Sequence, residues 1–279
     1  IDLAGPDVRP LMRWEPDVVF CALHGTWGED GGLQAALDAV GLPYTGSGPA
    51  ASQAAMNKLT SKQILQANGL PTAAYGHVGE DAADDEAAAT IEQFAASWGW
   101  PVVIKPPSGG SSLGVTIADS ITEAIRGVHE ARQYEPISML EAFVGGLEVT
   151  QTVLDGEPLP LVAIRPKNRF FDFESKYTGG QTAYEVDPDL PTEVADRCRS
   201  IGVQAAEAFE LLGLARVDLI VSPALGPLVL EINTVPGMTA TSLAPKAAAA
   251  AGIEYASLCS RLVDRAWLAA RQRVTEAAA

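Results

Sequence analysis

The residues best suited to chemistry lie on two short apolar runs toward the carboxy-terminal end, Ala215–Val221 (ARVDLIV) and Leu228–Thr239 (LVLEINTVPGMT). Between them, Ser222–Pro227 supplies serine, proline and glycine, so the runs read as a β-hairpin. Strand side chains alternate between faces, which puts Arg216 and Asp218 on one side, and likewise Glu231 and Asn233. A turn centred on Ala224–Leu225 sets Asp218 opposite Glu231 and Arg216 opposite Asn233. Carboxylates facing each other across a ladder repel. Positive charge must sit over them, and two carboxylates with an amide oxygen suit hard Mg²⁺ better than zinc. Asp218, Glu231 and Asn233 are therefore candidate metal ligands. Arg216 beside them can stabilise an oxyanion or a leaving phosphate.

The chain has 279 residues and a formal net charge of −16, which argues against general affinity for nucleic acid or an anionic membrane. An anionic ligand must then be held by locally placed cations. Lys105 closes an apolar strand, Pro101–Pro106, and is followed by Ser108-Gly109-Gly110-Ser111-Ser112-Leu113-Gly114 and a second strand, Val115–Ala118. A glycine-serine loop offers N–H groups and hydroxyls to phosphate oxygens. It has neither the Gly-Lys-Ser/Thr nor the following helix of a Walker loop, and strand following strand excludes a Rossmann turn. Lys58 and Lys62 lie one turn apart on one helix face. Lys58 joins Lys105 as a phosphate candidate, and Lys62 reads as a solvated lysine. His24 opens a glycine-rich loop after the strand Asp17–Leu23, the end of an open α/β sheet where ligands bind. It reads equally as a loop histidine satisfied by backbone or as a polar group on the substrate side. Together these groups point to nucleotide-dependent phosphoryl chemistry.

The elements that must position them are those of a soluble globular α/β protein, 47% hydrophobic and 19% charged. Helices are expected over Leu33–Val40, Ser52–Asn68, Gly79 through Trp98, Ile121–Arg132, Leu243–Ala251 and Tyr255–Leu268. The clearest helix is Pro191–Leu212, with an apolar stripe at Val194, Cys198, Ile201, Ala205, Ala208 and Leu212. Further strands are expected over Leu42–Gly48, Ile137–Val144, Glu148–Val153 and Leu161–Arg165. Phe170–Tyr177 reads as a loop over a site or as an edge strand. Cys21, Cys198 and Cys259 fit no metal spacing and read as reduced thiols of a cytoplasmic protein. No apolar run approaches the roughly 18 residues of a membrane span.

Several runs in chain order resemble the D-alanine–D-alanine ligases of the ATP-grasp superfamily. They are Leu23-His24-Gly25 with Gly28-Glu29-Asp30-Gly31; Pro43-Tyr44-Thr45-Gly46 with Ala51-Ser52; Met56-Asn57-Lys58; and Val103-Ile104-Lys105-Pro106 with Gly110-Ser111-Ser112-Leu113-Gly114. Phe171-Asp172-Phe173-Glu174-Ser175-Lys176-Tyr177, Ala215-Arg216-Val217-Asp218, and Glu231 through Thr239 with Ser242-Leu243 complete the series. The resemblance implies an ATP-grasp fold of α+β lobes behind an amino-terminal, partial Rossmann-like (pre-ATP-grasp) lobe. It divides the chain into a substrate-side lobe (1–50), a central ATP-grasp lobe (51–141) and a carboxy-terminal catalytic lobe (142–279).

It also implies roles. Lys58, Lys105 and Lys176 resemble the lysines on ATP phosphates, and Ser111 and Ser112 the phosphate-capping loop. Glu141 matches the acid at the adenine amino group, Phe143 and Val144 the adenine hinge, and Glu148 the ribose contact. Asp218, Glu231 and Asn233 match the ligands of two Mg²⁺ ions, with Mn²⁺ as an alternative. Arg216 and the Gly237 N–H resemble the oxyanion stabilisers, with Ser111 also near substrate. Ser242 and Leu243 resemble the binder of the second amino acid's carboxylate, and Tyr177 the tyrosine typical of dipeptide-forming members. The implied activity is ATP- and Mg²⁺-dependent joining of two D-alanines through an acyl phosphate, for peptidoglycan precursors, in a homodimer. Three departures stand beside this. The family's Gly-Gly-x-Ser-x-Glu turn would precede Ile1 and nothing in 1–279 replaces it, Asn57 stands where aspartate is usual, and Phe173 where tyrosine is usual. The alternatives are a ligase with another acceptor, D-lactate or D-serine, and an ATP-binding homologue with impaired ligation.

Overall fold

The structure, a computed structural model, describes residues 3, 6–110, 113–166 and 182–277. Four hydrophobic clusters organise what positions the site. The first, near the amino-terminal end, gathers Val8, Leu11, Cys21, Leu33, Leu37, Leu42 and Tyr44 around helix α1 (Gly32–Ala39). Here the strand expected over Asp17–Leu23 shrinks to one parallel bridge, Val19 to Tyr44, with hydrogen bonds Val19 N to Pro43 O and Thr45 N to Val19 O. Two bonded residues without further described neighbours do not build a ladder, so the apolar run forms an extended segment instead.

The helix expected over Ser52–Asn68 is broken in two, α2 (Pro49–Met56) and α3 (Lys58–Ala67). Asn57 between them is extended (φ −86°, ψ 106°), and its side chain caps α3 by accepting from the Thr60 N–H at 3.0 Å. The Lys58 N–H leaves the helical ladder for the Pro107 carbonyl. The carbonyls of Ala54 and Ala55 at the break accept from the Ser61 hydroxyl. The break thus finds other partners for these groups, and it presents Lys58 at a helix start facing the glycine-serine loop.

A four-stranded antiparallel sheet follows, built from β1 (Tyr75–Val78), β2 (Val102–Lys105), β3 (Thr116–Ala118) and β4 (Ser138–Ala142), in the order β1-β4-β2-β3. Helices α4 (Asp84–Trp98) and α5 (Ile121–Ala131) cover one face, where Val102, Ile104 and Leu140 are fully buried with Ile91 and Val128. The alternate residues Val103, Lys105 and Glu141 therefore point to the other face. That face, against which Lys62 of α3 packs at Glu141, forms one wall of the site.

The opposite wall is a larger antiparallel sheet. It holds β5 (Leu147–Leu154), β6 (Glu157–Pro158), β7 (Val162–Pro166), β8 (Thr182–Val186), β9 (Leu214–Ser222) and β10 (Gly226–Asn233). Its order is β10-β9-β5-β7-β8, with β6 on β5. Helix α6 (Thr192–Ala208) packs on it through Cys198, Ile201 and Ala205, with Ala55 and Leu65 of α2 and α3 in the same cluster as Val217, Leu219, Val229 and Ile232. Each large aliphatic side chain fully buried here contributes about 1.5–3 kcal/mol. The helix stops short of the expected Leu212, because Phe209 and Glu210 leave it, Glu210 with φ 52°. Helices α7 (Leu243–Ala250) and α8 (Tyr255–Ala277) close the other side through Ala247, Leu258 and Leu262. Cys21 and Cys198 are buried, and burial pushes their thiols up to about 12 and about 11, so both are inert. No helix among the described residues is long and apolar enough to cross a membrane.

Candidate active site

The β9–β10 hairpin pairs Asp218 with Glu231 and Arg216 with Asn233, as its turn chemistry implies, but by a different route. Around the tip Ser222 pairs with Gly226 and Leu219 with Val229, a register one residue off the expected one. A β-bulge between Val229 and Glu231 then absorbs Leu230 and restores the pairing. Gly226 takes φ 75° at the end of the three-residue tip, the left-handed position such loops require. One consequence is chemical. Val229 and Ile232 enter the core, whereas Leu230 and Glu231, consecutive residues, both line one cavity between the walls.

Arg216 answers the electrostatic problem in part. Its Nε and Nη2 donate to the two oxygens of Asp218, each at 2.8 Å, and Asp218 is only 3% exposed. Burial alone would lower the Arg216 pKa. Asp218, Glu231 and Glu148 outweigh it and hold the guanidinium charged. Asn233 Oδ1 accepts from the Val235 N–H at 3.1 Å, which orients the amide and the turn behind it. Among the described residues no three His, Cys, Asp or Glu side chains form a ready metal cage. The oxygen set Asp218, Glu231 and Asn233 suits Mg²⁺ nonetheless, since that ion keeps waters and substrate oxygens among its ligands.

The lysines converge from the facing wall. Lys58, the first residue of α3, donates to the Gly109 carbonyl at 2.7 Å, and Lys105 ends β2; both border a cavity of about 190 Å³ shared with Asp218 and Glu231. Burial lowers the Lys58 pKa, with Glu231 pulling the other way. Lys105 is bonded to Glu141. Glu141 itself is 4% exposed beneath the cleft, its second oxygen 2.5 Å from Lys62 Nζ. Burial would raise its pKa, but Lys105 and Lys62 prevail and hold it at about 2. The reading of Lys62 as a solvated lysine is therefore wrong: it is 1% exposed and points inward. Its place on the buried stripe of α3 with Ser61 and Leu65 was the available signal.

A larger cleft of about 1180 Å³ adjoins this cavity and brings together His24, Glu148, Arg216, Asp218, Glu231, Asn233, Gly237, Ser242 and Leu243. His24 bonds Glu29 through Nδ1 at 3.1 Å, and the other Glu29 oxygen accepts from the Gly25 N–H at 2.7 Å. The bond to Glu29 raises the His24 pKa against the opposing effect of burial. Ser242 precedes α7, so the first N–H groups of that helix open beside the cleft. Its Oγ accepts from the Thr239 N–H at 3.1 Å. Gly237 packs so closely that a Cβ would stand 2.8 Å from Ser242 Oγ. Phe143 and Val144 follow β4, and the Phe143 N–H is bonded to the Pro101 carbonyl. Neither borders the two cavities. Ser111, Ser112, Lys176 and Tyr177 lie outside the described residues. The sequence assigns no role to Glu29, which stands in a family-matching run, and gives no sign of Glu135, which accepts from the Ser108 N–H at 2.9 Å and anchors the stem of the glycine-serine loop.

The chain matches the family described as D-ala D-ala ligase C-terminus over residues 64–264, and that described as D-ala D-ala ligase N-terminus over residues 8–47. It is 44% identical over 263 residues to a D-alanine–D-alanine ligase of Gloeobacter violaceus, covering 94% of this chain and 86% of that protein. A D-alanine–D-alanine ligase of an Anaeromyxobacter species is 42% identical over 260 residues, covering 93% and 83%. Among solved structures, the Bacillus anthracis D-alanine–D-alanine ligase complexed with ATP superposes with a TM-score of 0.82 at 33% identity, over 98% of this chain and 86% of that one. These matches run through both walls of the cleft, the β9–β10 hairpin included, and the chain belongs to the D-alanine–D-alanine ligase family of ATP-grasp enzymes.

Proposed function

We propose that the chain joins two D-alanines into D-alanyl-D-alanine at the expense of ATP. The observation that carries this is the single cleft in which Arg216, Asp218, Glu231, Asn233, Gly237 and Ser242 meet. ATP phosphates lie on this reading between Lys58 and Lys105 on one wall and Asp218 and Glu231 on the other. The family resemblance assigns Ser111, Ser112 and Lys176 to the same phosphates, and Glu141, Phe143, Val144 and Glu148 to the adenosine end. Mg²⁺, two ions held by Asp218, Glu231 and Asn233, would neutralise charge on the phosphates. The carboxylate of the first D-alanine, near His24, attacks the γ-phosphorus of ATP; the bond to the β,γ-bridging oxygen breaks, ADP departs and an acyl phosphate forms. The amine of the second, its carboxylate held at Ser242, Leu243 and the α7 amino terminus, attacks that carbonyl. Arg216 and the Gly237 N–H receive the oxyanion, phosphate departs, and Tyr177 favours an amine acceptor. Closure over the cleft excludes water, which would hydrolyse the acyl phosphate. The same reading has the enzyme working as a homodimer in the cytoplasm.

The test is phosphate release and dipeptide formation with ATP, Mg²⁺ and D-alanine. Glu231→Gln is expected to lower turnover by orders of magnitude while leaving the fold intact. Background phosphate release by the unaltered chain, or full turnover by the variant, would sink the reading.

A further inference from the structure

Lys62 has no part in that chemistry, yet it is the largest fully buried side chain among the described residues. A lysine is not buried without compensation. Its ammonium lies 2.5 Å from Glu141 Oε1, and it donates to Thr72 Oγ1 at 2.7 Å and to the Ala73 carbonyl at 3.3 Å. The ammonium thus has three oxygens around it, one ion-paired and two hydrogen-bonded. The Tyr75 ring lies 5.7 Å from the same nitrogen. Burial lowers the Lys62 pKa and Glu141 opposes that.

The network does not stop at Thr72. The Thr72 hydroxyl donates to the Val229 carbonyl at 2.9 Å, and the Val229 N–H donates to the Pro71 carbonyl at 2.8 Å. Thr72 and Val229 form a parallel bridge between the segment leading into the four-stranded sheet and strand β10 of the other. Val229 is the residue at which the bulge begins, before Leu230 and Glu231. A continuous path therefore runs Lys105, Glu141, Lys62, Thr72, Val229, from the phosphate lysine on one wall to the metal-ligating strand on the other.

We propose that Lys62 is a positioning residue that fixes the spacing between those walls. It occupies one oxygen of Glu141, which leaves the other to seat Lys105, and through Thr72 it sets the sheet against the bulged hairpin. It touches neither substrate. This deepens the nucleotide-binding half of the proposed function and rests on it, not on ligation.

The experiment uses the full chain with Lys62→Met, Thr72→Val, Glu141→Gln and the Lys62→Met/Glu141→Gln pair. The Kd of adenylyl imidodiphosphate with Mg²⁺ is measured by calorimetry, and KM for D-alanine by phosphate release. Lys62→Met is expected to raise the nucleotide Kd about tenfold or more, with D-alanine KM within about twofold of the parent. Thr72→Val, which removes the hydroxyl and keeps the charge, shifts the Kd the same way by a few-fold. In the Glu141→Gln background, Lys62→Met adds only the few-fold change that Thr72→Val makes alone, because the rest of its effect acts through that carboxylate. An unchanged Kd in Thr72→Val overturns the proposal even if Lys62→Met does not fold, and so does an equal loss from Lys62→Met in both backgrounds. A parent chain that binds the nucleotide but releases no phosphate with D-alanine defeats the ligase reading alone.

Discussion

Replacing Arg216 by methionine tests the electrostatics of the hairpin directly. The guanidinium makes two charge-assisted bonds of 2.8 Å to a carboxylate whose side chain is 4% exposed, and is itself 18% exposed. Methionine preserves much of the volume and removes both bonds. Asp218 is left buried without its counter-charge, opposite Glu231 and lining the same cavity as Glu148. Breaking a buried pair by removing one partner costs about 3–5 kcal/mol. For a chain of this size that lowers the melting temperature by on the order of 10 °C. Removing both partners, in Arg216→Met with Asp218→Leu, is expected to recover most of the loss. Millimolar Mg²⁺ should stabilise the Arg216→Met protein more than the parent, because the acids are then uncovered. Thermal unfolding of the three proteins with and without Mg²⁺ decides this. A single variant melting within a degree or two of the parent, or a double variant no more stable than the single, refutes the reasoning.

Three further outcomes are expected. Gly237→Ala forces Ser242 Oγ away from a Cβ built 2.8 Å from it, so KM for D-alanine at saturating ATP should rise about tenfold with little change in melting temperature. Glu141, held at about 2 from 4.5, contributes stability that is complete above pH 4.5 and lost as pH falls toward 2. That contribution is roughly 3 kcal/mol by linkage, and acid unfolding of Glu141→Gln should show a correspondingly shallower slope over this window. His24 should titrate above 6.5 by NMR and move back toward it in Glu29→Gln. Its contribution to stability is present below pH 6.5 and disappears as pH rises through the raised value.

The hairpin and its acids were legible because turn residues and period-two alternation are local signals. Their pairing nonetheless came out right through the bulge at Leu230, which no composition cue reveals. The long apolar stripe of α6 was equally legible, and its end was misjudged only where Glu210 turns into the left-handed region. The break at Asn57 was not, because it is stabilised by Pro107 and Ser61, partners set by tertiary contact and by a backbone that has already turned. Lys62 was misread for a related reason. Residue type favoured solvent, and the carboxylate that compensates its burial lies on β4, far along the chain. Asp17–Leu23 has strand composition but finds only Tyr44 as a bridge partner among the described residues.

The bulge at Leu230 also separates two properties that a regular strand would tie together. With strict alternation, the residue before an inward-facing carboxylate belongs to the opposite face, and no apolar side chain could adjoin Glu231 along the strand. The extra residue sets a leucine against an acid on one surface, a hydrocarbon tile beside a charged one. Because Asp218–Glu231 and Asn233–Arg216 keep their partners on the far side of the bulge, the size of residue 230 can vary without moving the acids. The greasy and ionic halves of the cleft floor are therefore open to independent adjustment, by selection or by design.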